Sequence, residues 1–201
     1  YALSLLGRFE LTGPDGVVEF ASTKAAGLLA FLACSARQQP REKLTDLLWG
    51  SHLEAQARQN LRQTLHVLRR ILGDGSIVAN GGFVSLNPGV VACDSSRLEA
   101  LIREGTHDAL AAAAELYKGP LLADLDIAQD AWEEWLTSER QRLKGLVLDA
   151  MVRLGELELA SGHAEAAVGV ARRAIAENNV REDAHRLLIG ALAASGRRPD
   201  A

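Results

Sequence analysis

The chain has 201 residues, 48% of them hydrophobic and 24% charged, with a net charge of −4. That composition excludes a disordered tail and allows one large globular domain or two small ones. The apolar runs are all too short to span a bilayer, and no charged–apolar–small leader segment opens the chain, which points away from a membrane and towards the cytoplasm. Charge is unevenly placed. Residues 1–91 hold nine Lys and Arg against seven acids (+2), whereas residues 92–201 hold thirteen against nineteen (−6). Positions 37–72 alone carry seven basic and three acidic residues (+4), and a local footprint of this kind matters more for a polyanionic partner than the overall balance.

Leu3, Leu5, Phe9 and Leu11 alternate with polar residues around Gly7, the pattern of a half-buried strand, which Gly13-Pro14-Asp15-Gly16 ends as a turn. Val17 to Phe20 reads as a short returning strand, and Ser22 as the N-cap of a helix from Lys24 to Ala36 with Leu28, Leu29, Leu32 and Ala36 on its inner face. Gln38-Gln39-Pro40 breaks that helix. A second helix, Arg41 to Trp49, offers Leu44, Leu47 and Leu48 inward and stops at Gly50.

The third helix, Glu54 to Leu72, carries the functional signal. At about 100° per residue, Ala57, Leu61, Thr64, Leu65, Leu68, Ile71 and Leu72 gather on one face. Gln59, Gln63, His66 and Arg70 fall opposite, with Arg62 beside them and Arg58 and Arg69 on the flank. No acid follows Glu54, whereas an ordinary solvated face interleaves Glu with its Arg at four-residue spacing. Arg can grip guanine and Gln adenine through paired hydrogen bonds, so this face is a usable base-reading surface. Gly73-Asp74-Gly75 ends the helix, and Ile77 to Ala79 and Phe83 to Leu86 read as strands joined at Asn80-Gly81, a strong hairpin signal. Three helices followed by a hairpin is the order of a winged helix-turn-helix. The hairpin, including Asn80 and Gly81, is then a wing that lies along a phosphate backbone or in a minor groove.

These residues carry a family resemblance. Leu6-Gly7-Arg8-Phe9, Lys24 with Leu28 to Leu32, Leu44 with Leu47 to Gly50, Ala57-Arg58, Asn60-Leu61-Arg62, Leu68-Arg69-Arg70, Leu72-Gly73 and Gly82-Phe83 resemble an OmpR-type winged helix, and more closely the Streptomyces antibiotic regulatory protein family. The chain departs from the family at Ser51-His52-Leu53-Glu54, where a proline-containing acidic loop is usual. In such folds that loop contacts RNA polymerase.

From Cys93 onward the pattern is helical: Asp94 to Arg103, His107 to Tyr117, Gln129 to Lys144, Leu146 to Ser161, Ala164 to Asn178 and Arg181 to Ser195. Ala160-Ser161-Gly162 recurs as Ala194-Ser195-Gly196 with a spacing of 34 residues, the tetratricopeptide period. Gly119-Pro120-Leu121-Leu122, Trp132, Glu139-Arg140, Leu143, Leu159 with Gly162, and Glu182 with Leu187-Leu188 resemble the bacterial transcriptional activator domain, which follows the winged helix in the same regulators. The resemblance implies that this domain packs on the winged helix and helps to pair protomers on direct repeats.

Other chemistry is weak. Asp124/Asp126 and Glu133/Glu134 suit a solvated acidic face better than acid–base catalysis, and no two of the five His share a helix face at ligand spacing. Trp132 and Trp135 read as core or interface packing. Cys34 and Cys93 read as separate buried thiols, and no phosphate-cradling loop is present. The expected architecture is therefore an α+β winged helix-turn-helix over residues 1–91 followed by an all-α tetratricopeptide-like domain over residues 92–201. No catalytic site, metal or cofactor is expected. The expected function is transcriptional regulation through double-stranded DNA, as a homodimer on DNA and with RNA polymerase as a further partner. The alternative is a protein-interaction adaptor of a larger signalling protein. The absence of an initiator Met and the stop at Arg197-Arg198-Pro199-Asp200-Ala201 read as a piece of a longer polypeptide.

Overall fold

A computed structural model describes residues 1–35 and 37–196, so Ala36 of the first helix face and the terminal Arg197 to Ala201 lie outside the described residues. The chain is mostly helical with a small N-terminal β region, and it forms two compact units. The first comprises Tyr1–Arg97 and Lys118–Gln141, the second Leu98–Tyr117 and the chain from Arg142 onward. Among the described residues no helix is long and apolar enough to cross a membrane.

In the first unit, β1 (Ala2–Ser4) pairs antiparallel with β2 (Glu10–Gly13), Leu3 lying opposite Leu11. The alternation expected of one strand thus comes from two, because the chain reverses around Gly7, whose φ of 113° only glycine adopts readily. Both arrangements put Leu3 and Leu11 on one buried face, which is why the pattern alone does not separate them. The Gly13–Gly16 turn leads into β3 (Gly16–Val17), and β7 (Ala92–Cys93) pairs parallel with β1 to give the order β3-β2-β1-β7.

Three helices follow: α1 (Thr23–Cys34), α2 (Arg41–Trp49) and α3 (Glu54–Leu72). The Ser22 side chain caps α1 by accepting from the Ala25 amide. Proline cannot donate a backbone hydrogen bond, and Pro40 sits as the N-cap of α2 at the end of the short strand β4 (Gln39–Pro40). Leu61, Leu65, Leu68 and Leu72 are all buried, each contributing about 1.5–3 kcal/mol by leaving water. Beyond α3, β5 (Ile77–Asn80) and β6 (Phe83–Leu86) form a hairpin, with β4 added to the outer edge of β6. The turn is centred on Gly81 and Gly82, at φ 55° and 86°. Asn80 is not one of the central residues; it ends β5 opposite Phe83, and two adjacent glycines take the positive φ values at less steric cost than Asn.

The Lys118–Gln141 segment completes this unit. Leu122 donates to the Leu5 carbonyl (2.8 Å), Ala123 to Gly7 (2.6 Å), and Phe9 to the Asp124 carboxylate (2.9 Å). Leu122 has a φ of 52°, strained for a branched side chain, but it is wholly buried and its carbonyl accepts from the Arg140 Nη2 at 2.7 Å. Trp132 is fully buried beside Gly27 of α1, where a Cβ would lie 3.1 Å from its ring, and Trp135 meets Phe31 edge-on at 5.0 Å. These two tryptophans are core packing. Asp94, the first residue of α4 (Asp94–Glu104), turns its carboxylate to the Leu5 and Leu6 amides at 2.8–2.9 Å, tying the helix start to the end of β1. Cys34 and Cys93 share a neighbour that their spacing did not reveal: the Ser95 hydroxyl lies 3.7 Å from one sulfur and 3.1 Å from the other.

The second unit holds most of α4, then α5 (His107–Leu116), the C-terminal part of α6 (Asp130–Ala160), α7 (Ala164–Glu177) and α8 (Glu182–Ala194). The break expected at Gly145 is absent, and α6 is one helix of 31 residues. A single interior Gly costs a helix about 1 kcal/mol relative to Ala, too little to end it without a proline or a cap. Gly162 and Gly196, one repeat period apart, both take positive φ (82° and 79°) after helix ends. Ala167, Val168, Ala191 and Leu192 form the core between α7 and α8.

Candidate nucleic-acid interface

The exposed face of α3 is that expected from its periodicity. Gln59, Arg62, Gln63, His66 and Arg70 are exposed, and their side chains make no hydrogen bond or ion pair among the described residues. Ala57 and the four leucines hold the helix from below, so the outward residues stand on a fixed support. The two flanking arginines differ. Arg58 is exposed but paired with Glu54 one turn earlier. Arg69 is half-buried, and its Nε and Nη2 both donate to the Ile77 carbonyl at 3.3 Å, fastening α3 to the first strand of the hairpin. Asn80 and Gly81 are exposed near the hairpin tip.

Two cations escape helix-wheel reasoning because they lie on other elements. Arg41, the first residue of α2, lines a cleft with Arg58 and Arg62, and its backbone amide donates to the Gly82 carbonyl of the hairpin turn at 2.9 Å. Lys24, in the first turn of α1, places its ammonium 5.5 Å from the Trp49 ring centroid in a second cleft that includes Asn60, Gln63 and Thr64 of α3. Burial holds the Lys24 ammonium below the ordinary lysine value. The available signal for both was position, since a cation in the first turn of a helix is placed against the macrodipole.

The hairpin itself is neutral. Residues 75–93 include no Asp, Glu, Lys or Arg, and Val78 and Phe83 are 42% and 44% exposed. The groups it offers a polyanion are backbone N–H groups, the Asn80 amide and the Ser85 hydroxyl, beside apolar surface. The loop before α3 is tied back through Gln129, whose side chain accepts from the Ser51 amide (3.2 Å) and donates to its hydroxyl (3.1 Å). Leu53 at the end of that loop is 84% exposed. Among the described residues no group of His, Cys, Asp or Glu is arranged to hold a metal ion.

The chain thus combines a small N-terminal β region, a helix presenting Arg, Gln and His outward, and a following helical unit. The family model described as bacterial transcriptional activator domain matches residues 92–201, more than half of the chain, and the chain belongs to that family. This bears out the resemblance to the Streptomyces antibiotic regulatory proteins. Among solved structures, the chain is similar to Mycobacterium tuberculosis EmbR in complex with a low-affinity phosphopeptide, with a TM-score of 0.83 and 24% identity over 99% of this chain and 56% of EmbR. That likeness establishes the shared fold, and the chain spans a little over half the length of EmbR. No curated protein sequence matches it.

Proposed function

We propose that the chain regulates transcription by binding duplex DNA, with residues 1–91 acting as a winged helix and residues 92–201 as a tetratricopeptide-like domain for protein contacts. The observation that carries the reading is the row of unpaired Arg62, Gln63, His66 and Arg70 on a helix whose opposite face is fully packed. In this reading α3 lies in the major groove, where Arg62 and Gln63 meet base edges with Gln59 and His66 beside them. Arg58, Arg70, Arg41 and Lys24 meet phosphates. Arg69 serves the interface by holding the hairpin, and Asn80 and Gly81 touch the backbone or the minor groove as the wing. In this reading the chain binds as a homodimer on direct repeats, with RNA polymerase as a further partner and the cytoplasm as the place of action.

The test is fluorescence anisotropy of the intact chain with labelled genomic duplexes at two salt concentrations. Binding that weakens with a log–log slope of about −0.9 per neutralised phosphate is expected, about four phosphates per protomer giving a steep dependence. Binding without salt dependence, or none to any duplex, refutes the reading and favours a protein-interaction adaptor.

A further inference from the structure

We propose that Glu158 gathers His107 and His163 into a clasp joining α5, α6 and α7, and that its His107 arm is proton-dependent, holding in mildly acidic solution and loosening in alkaline solution. Glu158 lies in the last turn of α6, and both oxygens of its carboxylate are engaged. Oε1 lies 2.7 Å from Nε2 of His107, the first residue of α5, and Oε2 lies 2.9 Å from Nδ1 of His163, the N-cap of α7. The Glu158 side chain is 14% exposed, whereas the two imidazoles are 44% and 66% exposed, so protons reach the rings from solvent.

The second nitrogen of His107 makes the arrangement proton-dependent. Its Nδ1 lies 3.1 Å from the Asp108 carboxylate, so each ring nitrogen faces an anionic oxygen. A neutral imidazole carries one N–H, and its other nitrogen would set a lone pair against a carboxylate; only imidazolium donates to both. The ends of the helices act in opposite directions. An imidazolium opposes the negative C-terminal end of α6 favourably, while at the start of α5 it meets the positive end of that helix, which Asp108 offsets. Charged groups on the same elements, among the described residues, include Glu104, which accepts from the Thr106 hydroxyl at 3.1 Å, Arg153, packed against Gly105, and Glu165 in the first turn of α7.

The expected direction follows. Hydrogen bonding to Asp108 and then to Glu158 raises the His107 pKa above its ordinary 6.5, and the two histidines lower that of Glu158 below 4.5. Because the folded pKa of His107 is raised, its contribution is complete below the unfolded value and is lost as pH rises through the folded one. Because that of Glu158 is lowered, its contribution is present above 4.5 and is lost as pH falls through its folded value. The clasp is therefore closed between those two folded values.

The experiment is an NMR titration of the imidazole Cε1–H signals in the intact chain, assigned with His107→Gln and His163→Gln. It is accompanied by thermal unfolding of the wild type and Glu158→Gln from pH 5 to pH 9. His107 is expected to titrate above ordinary histidine in the wild type and to move back down in Glu158→Gln. The Tm gap between wild type and variant is expected to shrink on going from pH 6 to pH 9. A wild-type His107 that titrates at the ordinary value overturns the proposal even if Glu158→Gln does not fold. An unchanged His107 in a folded Glu158→Gln, or a Tm gap independent of pH, overturns it as well.

Discussion

Replacing Arg69 and Arg70 separately with Ala tests whether neighbouring arginines on α3 act differently, as their surroundings imply. The Arg69 guanidinium is half-buried and donates twice to the Ile77 carbonyl, both at 3.3 Å, whereas Arg70 is exposed and makes no polar contact among the described residues. A hydrogen bond from a charged group contributes about 1.5–3 kcal/mol, and two long bonds to one acceptor belong at the lower end, about 1.5 kcal/mol. For a chain of this size 1 kcal/mol moves Tm by about 2–4 °C, so Arg69→Ala is expected to melt about 3–6 °C lower. Arg70→Ala, with nothing to lose in the fold, is expected to melt with the wild type. Salt titrations of duplex binding should give the opposite ranking. Arg70→Ala should flatten the log–log slope by about 0.9, the loss of one phosphate contact. Arg69→Ala should weaken binding through a displaced hairpin while leaving the slope nearly intact. Equal melting temperatures together with equal losses of slope would refute the assignment of Arg69 as a fastener.

The other expectations concern specificity, strain and thiol chemistry. Arg62→Ala and Gln63→Ala should each reduce discrimination at one or two base pairs by about 1–3 kcal/mol, read from competition binding with single-base operator variants; unchanged discrimination in both would remove them from base reading. Leu122→Gly relieves a left-handed backbone costing about 1–2 kcal/mol but deletes a wholly buried side chain, for which truncation to Ala already costs about 2–5 kcal/mol. A net fall in Tm is therefore expected, and a rise would show that strain outweighs packing at this site. Burial raises both the Cys34 and Cys93 thiols, so disulfide reagents should label them far more slowly in the native chain than in denaturant. Equal rates would contradict their placement around Ser95.

The elements most legible in the sequence are those with a strong local signal. Pro40 and Gly50 bracket α2, and the 3.6-residue spacing of Ala57, Leu61, Leu65, Leu68 and Leu72 defines α3 and therefore its exposed face. Fastening is less legible than facing. Helical periodicity places Arg69 on the flank of α3 but cannot show that its guanidinium is already committed to Ile77, because that partner lies on the hairpin. Helical periodicity of α3 likewise cannot place Lys24 and Arg41 beside this face, since each reaches α3 from another helix. Gly145 misled in the other direction: its cost within a helix is real, but too small to end one.

The least legible feature is the return of Lys118–Gln141 to the first unit, and it bears directly on how the protein should be dissected. The family match begins at Ala92, yet Trp132, Leu122 and Gln129 all pack on or bond to residues before it. Nothing local announces this, because a buried tryptophan on an amphipathic helix looks the same whether its neighbours lie in the next helix or a hundred residues earlier. A piece ending at Val91 would leave Gly27 and Phe31 of α1 without Trp132 and Trp135, and the Leu5 carbonyl without the Leu122 amide. Removing two aromatic side chains of this size from the packing costs several kcal/mol, comparable with the whole stability of a small domain. Weak DNA binding by that piece would therefore reflect a damaged support beneath α3 as much as a missing partner domain. The sounder dissection keeps residues 1–141 together, so that the recognition face is compared on an intact core.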